Sequence, residues 1–180
     1  CRRCVLCQSR GKHSHVVLFR GRIPCSVLLI GEAPGGSEDI LGKPFAGPAG
    51  KEMDDWIDRA WKMTGSALTW GMSNLVACLP KGEDGNKTAE PPTEAIDACR
   101  PRLDELVKMA KPKLIVCVGG LADSWIALNR NGKSATFPWY NGKFVSITHP
   151  AAVLRANVIH RDLMAQRAVV RLANAIREIT

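Results

Sequence analysis

The sequence predicts an α/β protein of three layers, α/β/α, around a four-stranded, largely parallel sheet. Two observations point there. Four apolar runs rich in β-branched residues have the length of buried parallel strands, and helical patterns lie between them. Strand alternating with helix is the signature of a parallel sheet covered on both faces.

The first run, "CSVLLIG" (25–31), stops at Gly31 and gives way to "EAPGGSEDILGKPFAGPAG", where Gly, Pro and acidic residues crowd around Phe45. "AGKEMDDWIDRAWKMTG" (49–65) has helical spacing and closes at Gly65. The second run is "SNLVACL" (73–79). The polar, Pro- and Gly-rich stretch "PKGEDGNKTAEPP" (80–92) reads as a long surface loop. A helix over 92–111 is stopped by Pro112, and the third run follows at 113–120. A helical pattern over 120–130, a fourth run over 143–150 and a last helix over 161–180 complete the chain. No internal repeat and no second domain is visible, so the 180 residues are read as one domain.

No window approaches the length of a membrane span. The start, "CRRCVLCQSRGK", is Cys- and Arg-rich and does not read as a signal peptide. Its first residue is Cys1 and not Met, as expected of a chain trimmed upstream. A formal charge of +8 favours a polyanionic partner over a merely solvated basic surface. The cations are spread along the chain, so any basic face must be assembled by folding. Seven cysteines without a secretion signal argue against disulfides and for thiol or metal chemistry in a reducing compartment.

Ligands of open parallel sheets bind beyond the carboxyl ends of the strands. Here those positions are 32–36, 78–81, 119–120 and 149–155, and they are expected to converge on one crevice. Cys1 and Cys4 form a C-x-x-C pair, which Cys7 extends. Cys78 and Cys99 flank the long loop, and two adjacent plus two distant thiolates can close around one metal centre. Spacing leaves zinc and iron–sulfur equally open. Cys25 and Cys117 fall within strand runs and read as small buried hydrophobes.

Together "GEAPGGSED", "GKPFAGPAG", "NLVACLP…ACRP" and "THPAAVLR" resemble the uracil-DNA glycosylase superfamily, and within it the iron–sulfur-containing family 4 of bacteria and archaea. The likeness runs in order from Cys1 nearly to the C-terminal helix. It implies a cytoplasmic, nucleoid-associated base-excision enzyme acting on DNA as a monomer. It also implies a 4Fe-4S cluster on Cys1, Cys4, Cys78 and Cys99, with Cys7 outside the ligand set. Such a cluster would staple the N-terminal segment to the long loop and remove much of that loop's freedom.

The resemblance implies roles residue by residue. A stacked base must be extruded into a pocket before its glycosidic bond can be cut. Phe45 is similar to the family's stacking platform, and Asn74 to its uracil reader, because an amide offers a donor and an acceptor to O4 and N3–H. His149 resembles the donor to the departing uracil at O2. Ala33 stands at the base where the best-known members carry Asp, and the preceding Glu32 resembles the family 4 carboxylate that orients water or steadies a cationic sugar. Glu38 and Asp39 are nearby carboxylates, read as solvated or capping. Gly35, Ser37, Lys43 and Arg155 are expected at the DNA backbone, and Leu154 is expected to fill the space the base leaves.

The chain departs from family 4 where a basic stretch usually surrounds the third cysteine: here stand Ala77, Cys78, Leu79, Pro80 and Lys81, and the loop that follows is longer and more acidic. That directs attention to the substrate, with a modified pyrimidine in repair or anti-phage defence as the alternative to uracil. A non-catalytic nucleic-acid-binding module is a second alternative, disfavoured because such a binder has no need of Glu32, Phe45, Asn74 and His149 together. A zinc-stapled dinucleotide-binding oxidoreductase is disfavoured because "GEAPGG" is not G-x-G-x-x-G.

Overall fold

The computed structural model describes residues 4–9, 11, 14–82, 89–126, 134 and 136–180. Cys1, most of the acidic part of the long loop (83–88) and the end of the expected 120–130 helix lie outside the described residues. In chain order the elements are α1 (Val5–Gln8), β1 (Arg20–Gly21), β2 (Val27–Gly31), α2 (Gly36–Leu41), α3 (Pro48–Thr64), β3 (Trp70–Asn74), α4 (Thr93–Ala110), β4 (Leu114–Val118), α5 (Gly120–Ile126), β5 (Lys143–Ile147), α6 (Pro150–Arg155) and α7 (Val158–Arg177).

The sheet has the order β1-β3-β2-β4-β5, so it holds five strands and not the expected four. The additional one, β1, is a two-residue antiparallel edge pairing Arg20 with Met72; so short a segment carries no periodicity to read. The other four strands run parallel, as expected.

The central strands β2 and β4 are buried at every residue, which accounts for their uninterrupted apolar runs. Leu28, Ile30, Ile115 and Cys117 face α4, through Ile96, Leu103 and Val107. On the opposite face Leu29, Met72, Leu114 and Val116 meet Met53, Trp56 and Ala60 of α3 and Val169, Leu172 and Ile176 of α7. Each such fully buried aliphatic side chain stabilises the fold by about 1.5–3 kcal/mol.

The second strand lies earlier than its apolar run suggests. β3 spans Trp70–Asn74, in register with β2 from Val27↔Trp70 to Gly31↔Asn74. Asn74 therefore ends a strand, where it was expected near a strand's start, and Cys78 sits four residues beyond it. Leu75 to Cys78 are buried without being a strand, and an apolar run alone does not tell the two apart. Gly65 caps α3 in the left-handed region (φ 68°), as its stop signal implied. α7 begins at Val158, three residues before the expected start, because the Asn157 side chain accepts a hydrogen bond from the His160 amide.

Candidate functional site

Parallel strands in register bring their carboxyl ends to one side of the sheet. Glu32 and Ala33 after β2, Asn74 at the end of β3, Gly119 after β4 and His149 after β5 all line one cavity of about 1410 Å³. The convergence expected from chain order is thus realised for the segments after β2, β4 and β5, whereas 78–81 are not among the lining residues, because β3 ends at Asn74 and that residue takes their place.

Phe45 forms part of its wall. The residue is 5% exposed and its backbone is left-handed, with φ 54°, which is costly for a bulky side chain and needs support from its surroundings. That support is visible. Arg20 Nη1 donates to the Phe45 carbonyl at 2.7 Å, and Arg20 Nη2 donates to Asp54 Oδ2 of α3 at 2.7 Å. A Cβ on Gly50 would fall 1.7 Å from the Phe45 oxygen, so α3 can approach this turn only with glycine there. The Phe45 ring stacks on His149, with centroids 6.3 Å apart and planes 26° from parallel.

Asn74 is 3% exposed. Arg102 of α4 fixes its backbone: Nη2 donates to the carbonyls of Asn74 (2.6 Å) and Leu75 (3.2 Å), and Nη1 to Ser73 Oγ (3.1 Å). The neighbouring Gly31 leaves no room for a side chain, since a Cβ there would lie 2.5 Å from Asn74 Oδ1 and 2.8 Å from Phe45 Cζ.

His149 caps α6, its Nδ1 accepting from the Ala151 amide at 3.1 Å. Burial, with the nearby Arg155 charge, lowers its pKa from 6.5 to about 4. At neutral pH the ring is therefore neutral, and because Nδ1 accepts, the proton sits on Nε2. Burial pushes the Glu32 carboxyl upward; a hydrogen bond from the Leu121 backbone and the Arg155 charge oppose this, while Glu90 adds to it. Glu32 and His149 meet across Gly119, where a Cβ would lie 2.8 Å from Glu32 Oε1 and 3.2 Å from His149 Cβ. A carboxylate, a neutral imidazole donor, an aromatic face and an amide thus share one recess.

Gly35, Ser37 and Arg155 also line the cavity, whereas Lys43 and Leu154 are not among its lining residues. Lys43 is exposed and Leu154 is half-buried, its carbonyl held by Arg161 Nη2 at 2.7 Å. Glu38 bridges the Gly35 and Gly47 amides at 3.1 and 3.3 Å, and Asp39 is bonded by Ser14 Oγ, so both carboxylates are engaged in local structure. Sequence reasoning missed Arg20, Arg102 and the α7 residues Arg167 and Arg171, which also line the cavity. Only the latter pair left a signal, a four-residue spacing on a helix, and that pattern is commonplace on solvated faces.

Cys4, Cys7, Cys78 and Cys99 are all buried. Cys7 Sγ lies 3.5 Å from Cys4 Sγ and 3.6 Å from Cys78 Sγ, so the thiol that the resemblance left outside the ligand set stands between two expected ligands. Burial, together with those thiols, pushes Cys7 up to about 12. Among the described residues no group of three or more His, Cys, Asp or Glu side chains is arranged as a metal site; Cys1 lies outside them. The donor set nevertheless fits a thiolate-ligated cluster. Soft ligands come from three separate segments, and the Arg102 guanidinium, hydrogen-bonded to Cys99 and close to Cys78, can offset thiolate charge. Cys25 and Cys117 are raised by burial to about 11 and about 12, in keeping with inert core thiols.

The family model described as the uracil DNA glycosylase superfamily matches residues 20–173. The chain is 28% identical over 191 residues to the type-4 uracil-DNA glycosylase of Saccharolobus solfataricus, covering 99% of this chain and 85% of that protein. It is 30% identical over 166 residues to that of Sulfurisphaera tokodaii (86% and 71%), and 28% identical over 163 residues to that of Thermotoga maritima (86% and 79%). Among solved structures, Pedobacter heparinus SMUG2 is similar in fold, with a TM-score of 0.58 at 14% identity over 84% of this chain and 76% of that one.

Proposed function

The chain belongs to the uracil DNA glycosylase superfamily, and from that membership we propose that it hydrolyses the N-glycosidic bond of uracil in DNA, leaving an abasic site. The observation that carries the reading is that Glu32, Phe45, Asn74 and His149, drawn from four separate stretches of sequence, line one cavity.

In this mechanism the target nucleotide leaves the stack and its base enters the cavity, lying against Phe45 over the small side chain of Ala33. The Asn74 side-chain amide pairs with O4 and N3–H of the base; the residue's backbone carbonyl, pinned by Arg102, keeps that amide from drifting. As the C1′–N1 bond breaks, the electron pair stays with the base and negative charge builds at O2. The neutral His149 donates a hydrogen bond there from Nε2–H, a donor pre-aimed by the cap that Nδ1 accepts. Positive charge builds on the sugar, and the Glu32 carboxylate, held by the Leu121 backbone, faces it and orients the water that adds to C1′. The water loses a proton as its oxygen bonds to C1′, the uracil anion takes up one proton, and the base departs as neutral uracil. Backbone amides around Gly35 and the Ser37 and Arg155 side chains hold the flanking phosphates, and Lys43, exposed outside the cavity lining, adds positive charge toward the same backbone.

Cys1, Cys4, Cys78 and Cys99 would hold a 4Fe-4S cluster, whose contribution when bound is structural, closing the N-terminal segment onto α4. The chain then works as one domain, as a monomer, on DNA in a prokaryotic cytoplasm. Among the described residues no helix is long and apolar enough to cross a membrane.

The test is base release from matched oligonucleotides carrying uracil, thymine or 5-hydroxymethyluracil, read as alkali-labile sites, with Glu32→Ala and Asn74→Ala as controls. Uracil-specific cleavage lost in both variants is expected. Release of only the modified base would replace uracil as the substrate, and binding without cleavage would make the chain a binding module.

A further inference from the structure

The cavity continues past the four central residues along one face of α7, where Leu163, Gln166, Arg167, Val170 and Arg171 line it. Steps of three and four residues place these side chains on one stripe. One turn toward the N-terminus the stripe reaches Ile159, beside Val158. These two are 85% and 77% exposed, more than any other large apolar side chain among the described residues. α7 already uses a different apolar face, through Ala165, Ala168, Val169 and Leu172, to cover the sheet. The exposed apolar residues are therefore a second apolar face that the core does not require, and such a face is usually an interaction surface.

Its chemistry is mixed. Arg167 and Arg171 are exposed and pair with no carboxylate among the described residues. Arg155, exposed at the end of α6, shares the same cavity rim. Guanidinium groups alternating with aliphatic side chains match a partner that alternates phosphates with apolar base faces. The stripe is also continuous with the recess that receives the base.

We propose that this face of α7 is a DNA track. The strand flanking the extruded nucleotide lies along it, with phosphates on Arg167 and Arg171 and bases against Leu163 and Val170, and Val158 and Ile159 enter the stack as the wedge. Leu and Ile are among the side chains that unstack base steps in this way. Ile159 is free to insert, whereas Leu154 is half-buried with its backbone tied to Arg161. The inference rests on the glycosylase reading above, and its test has an arm independent of catalysis.

Two variants, Arg167→Ala/Arg171→Ala and Ile159→Ser, are compared with the parent protein in two assays. The first is uracil release from a trinucleotide, a long single strand and a long duplex. The second is binding to a long uracil-free duplex and single strand over a range of salt. The double arginine variant is expected to raise KM on long substrates about tenfold more than on the trinucleotide, and to lower the slope of log K against log salt by about 2. Ile159→Ser is expected to weaken duplex cleavage more than single-strand cleavage, because only a duplex needs a wedge. Equal losses on long and short substrates, or an unchanged salt slope, would overturn the track; equal effects of Ile159→Ser on duplex and single strand would overturn the wedge. If the parent releases no uracil from any substrate, the glycosylase reading falls while the salt slopes still decide the track.

Discussion

Arg20 Nη1 donates a hydrogen bond of 2.7 Å to the Phe45 carbonyl, tying the aromatic wall of the cavity to the edge strand of the sheet. The same guanidinium pairs with Asp54 and lies over the Trp70 ring, 5.3 Å from its centroid. A left-handed Phe is thus held from behind by a fork that grips α3 at the same time, and the ring is fixed within the cavity wall.

Replacing that fork is expected to act on the reaction more than on the fold. Arg20→Ala should lower kcat/KM for uracil about tenfold, equivalent to about 1.4 kcal/mol and in line with one hydrogen bond to a charged group. Arg20→Lys keeps the charge beside Asp54 but cannot grip both partners in a planar fork. It should recover the melting temperature and leave most of the kinetic defect. Parallel recovery of both would reduce Arg20 to a structural role.

Gly31 offers a sharper probe, because its backbone is ordinary strand and only its missing Cβ matters. In Gly31→Ala the new methyl meets Asn74 Oδ1 at 2.5 Å and Phe45 Cζ at 2.8 Å. To reach ordinary contact Asn74 Oδ1 must move by about 1 Å, and misplacement on that scale costs on the order of a hundredfold in rate. Steady-state kinetics should show that loss with circular dichroism unchanged. A variant with parental activity would mean that neither side chain is held where the chemistry needs it.

The same glycine marks where sequence reading succeeds and where it stops. Buried parallel strands announce themselves as apolar runs, so β2 and β4, and the residues just past them, were legible. β3 was read three residues late because Leu75 to Cys78 are as apolar as a strand, yet their burial comes from loop packing. Short motifs point to Glu32, Phe45, Asn74 and His149, which do share one cavity, but Arg20 and Arg102 act across 25 and 28 residues of sequence on backbone carbonyls. Contacts made to carbonyls leave no trace in residue type at the receiving end. Glu38 shows the converse: a conspicuous carboxylate whose work is to hold the amides of two loop glycines.

Two groups in the recess have pKa values displaced in opposite senses, which separates their pH signatures. In the proposed mechanism activity needs Glu32 ionised, and burial raises its carboxyl above the ordinary 4.5. The acid limb of kcat/KM should therefore lie above that of an ordinary Glu, and should persist in His149→Gln measured at its lower rate. Stability behaves differently. His149 takes up a proton near 6.5 when unfolded but only near 4 when folded, so between those values the unfolded chain binds more protons and acidification favours it. Its contribution to stability is intact above pH 6.5 and is lost progressively toward pH 4, by up to about 3 kcal/mol. Urea titrations of the parent and His149→Gln at pH 7 and pH 4.5 measure this: the variant should lose less stability on acidification. An equal loss would show that His149 is not the buried neutral group described here.

Arg102 joins the thiol pocket to Asn74, the proposed base reader, and its removal should be felt at both. It donates to Ser73 Oγ and to the carbonyls of Asn74 and Leu75, and it lies beside Cys78 and Cys99. Arg102→Leu leaves buried acceptors unsatisfied at about 1–3 kcal/mol each, a fall of about 10 °C in Tm for a chain of this length. It also removes the cation beside the proposed thiolate ligands, so iron per chain and visible absorbance should fall together. Arg102→Lys separates the two effects. A lysine restores the charge but not the planar set of donors, so it should retain iron while uracil release stays depressed. If Arg102→Lys instead lost iron and kept full activity, the guanidinium would be holding the cluster pocket by hydrogen bonding, and Asn74 would keep its position without it.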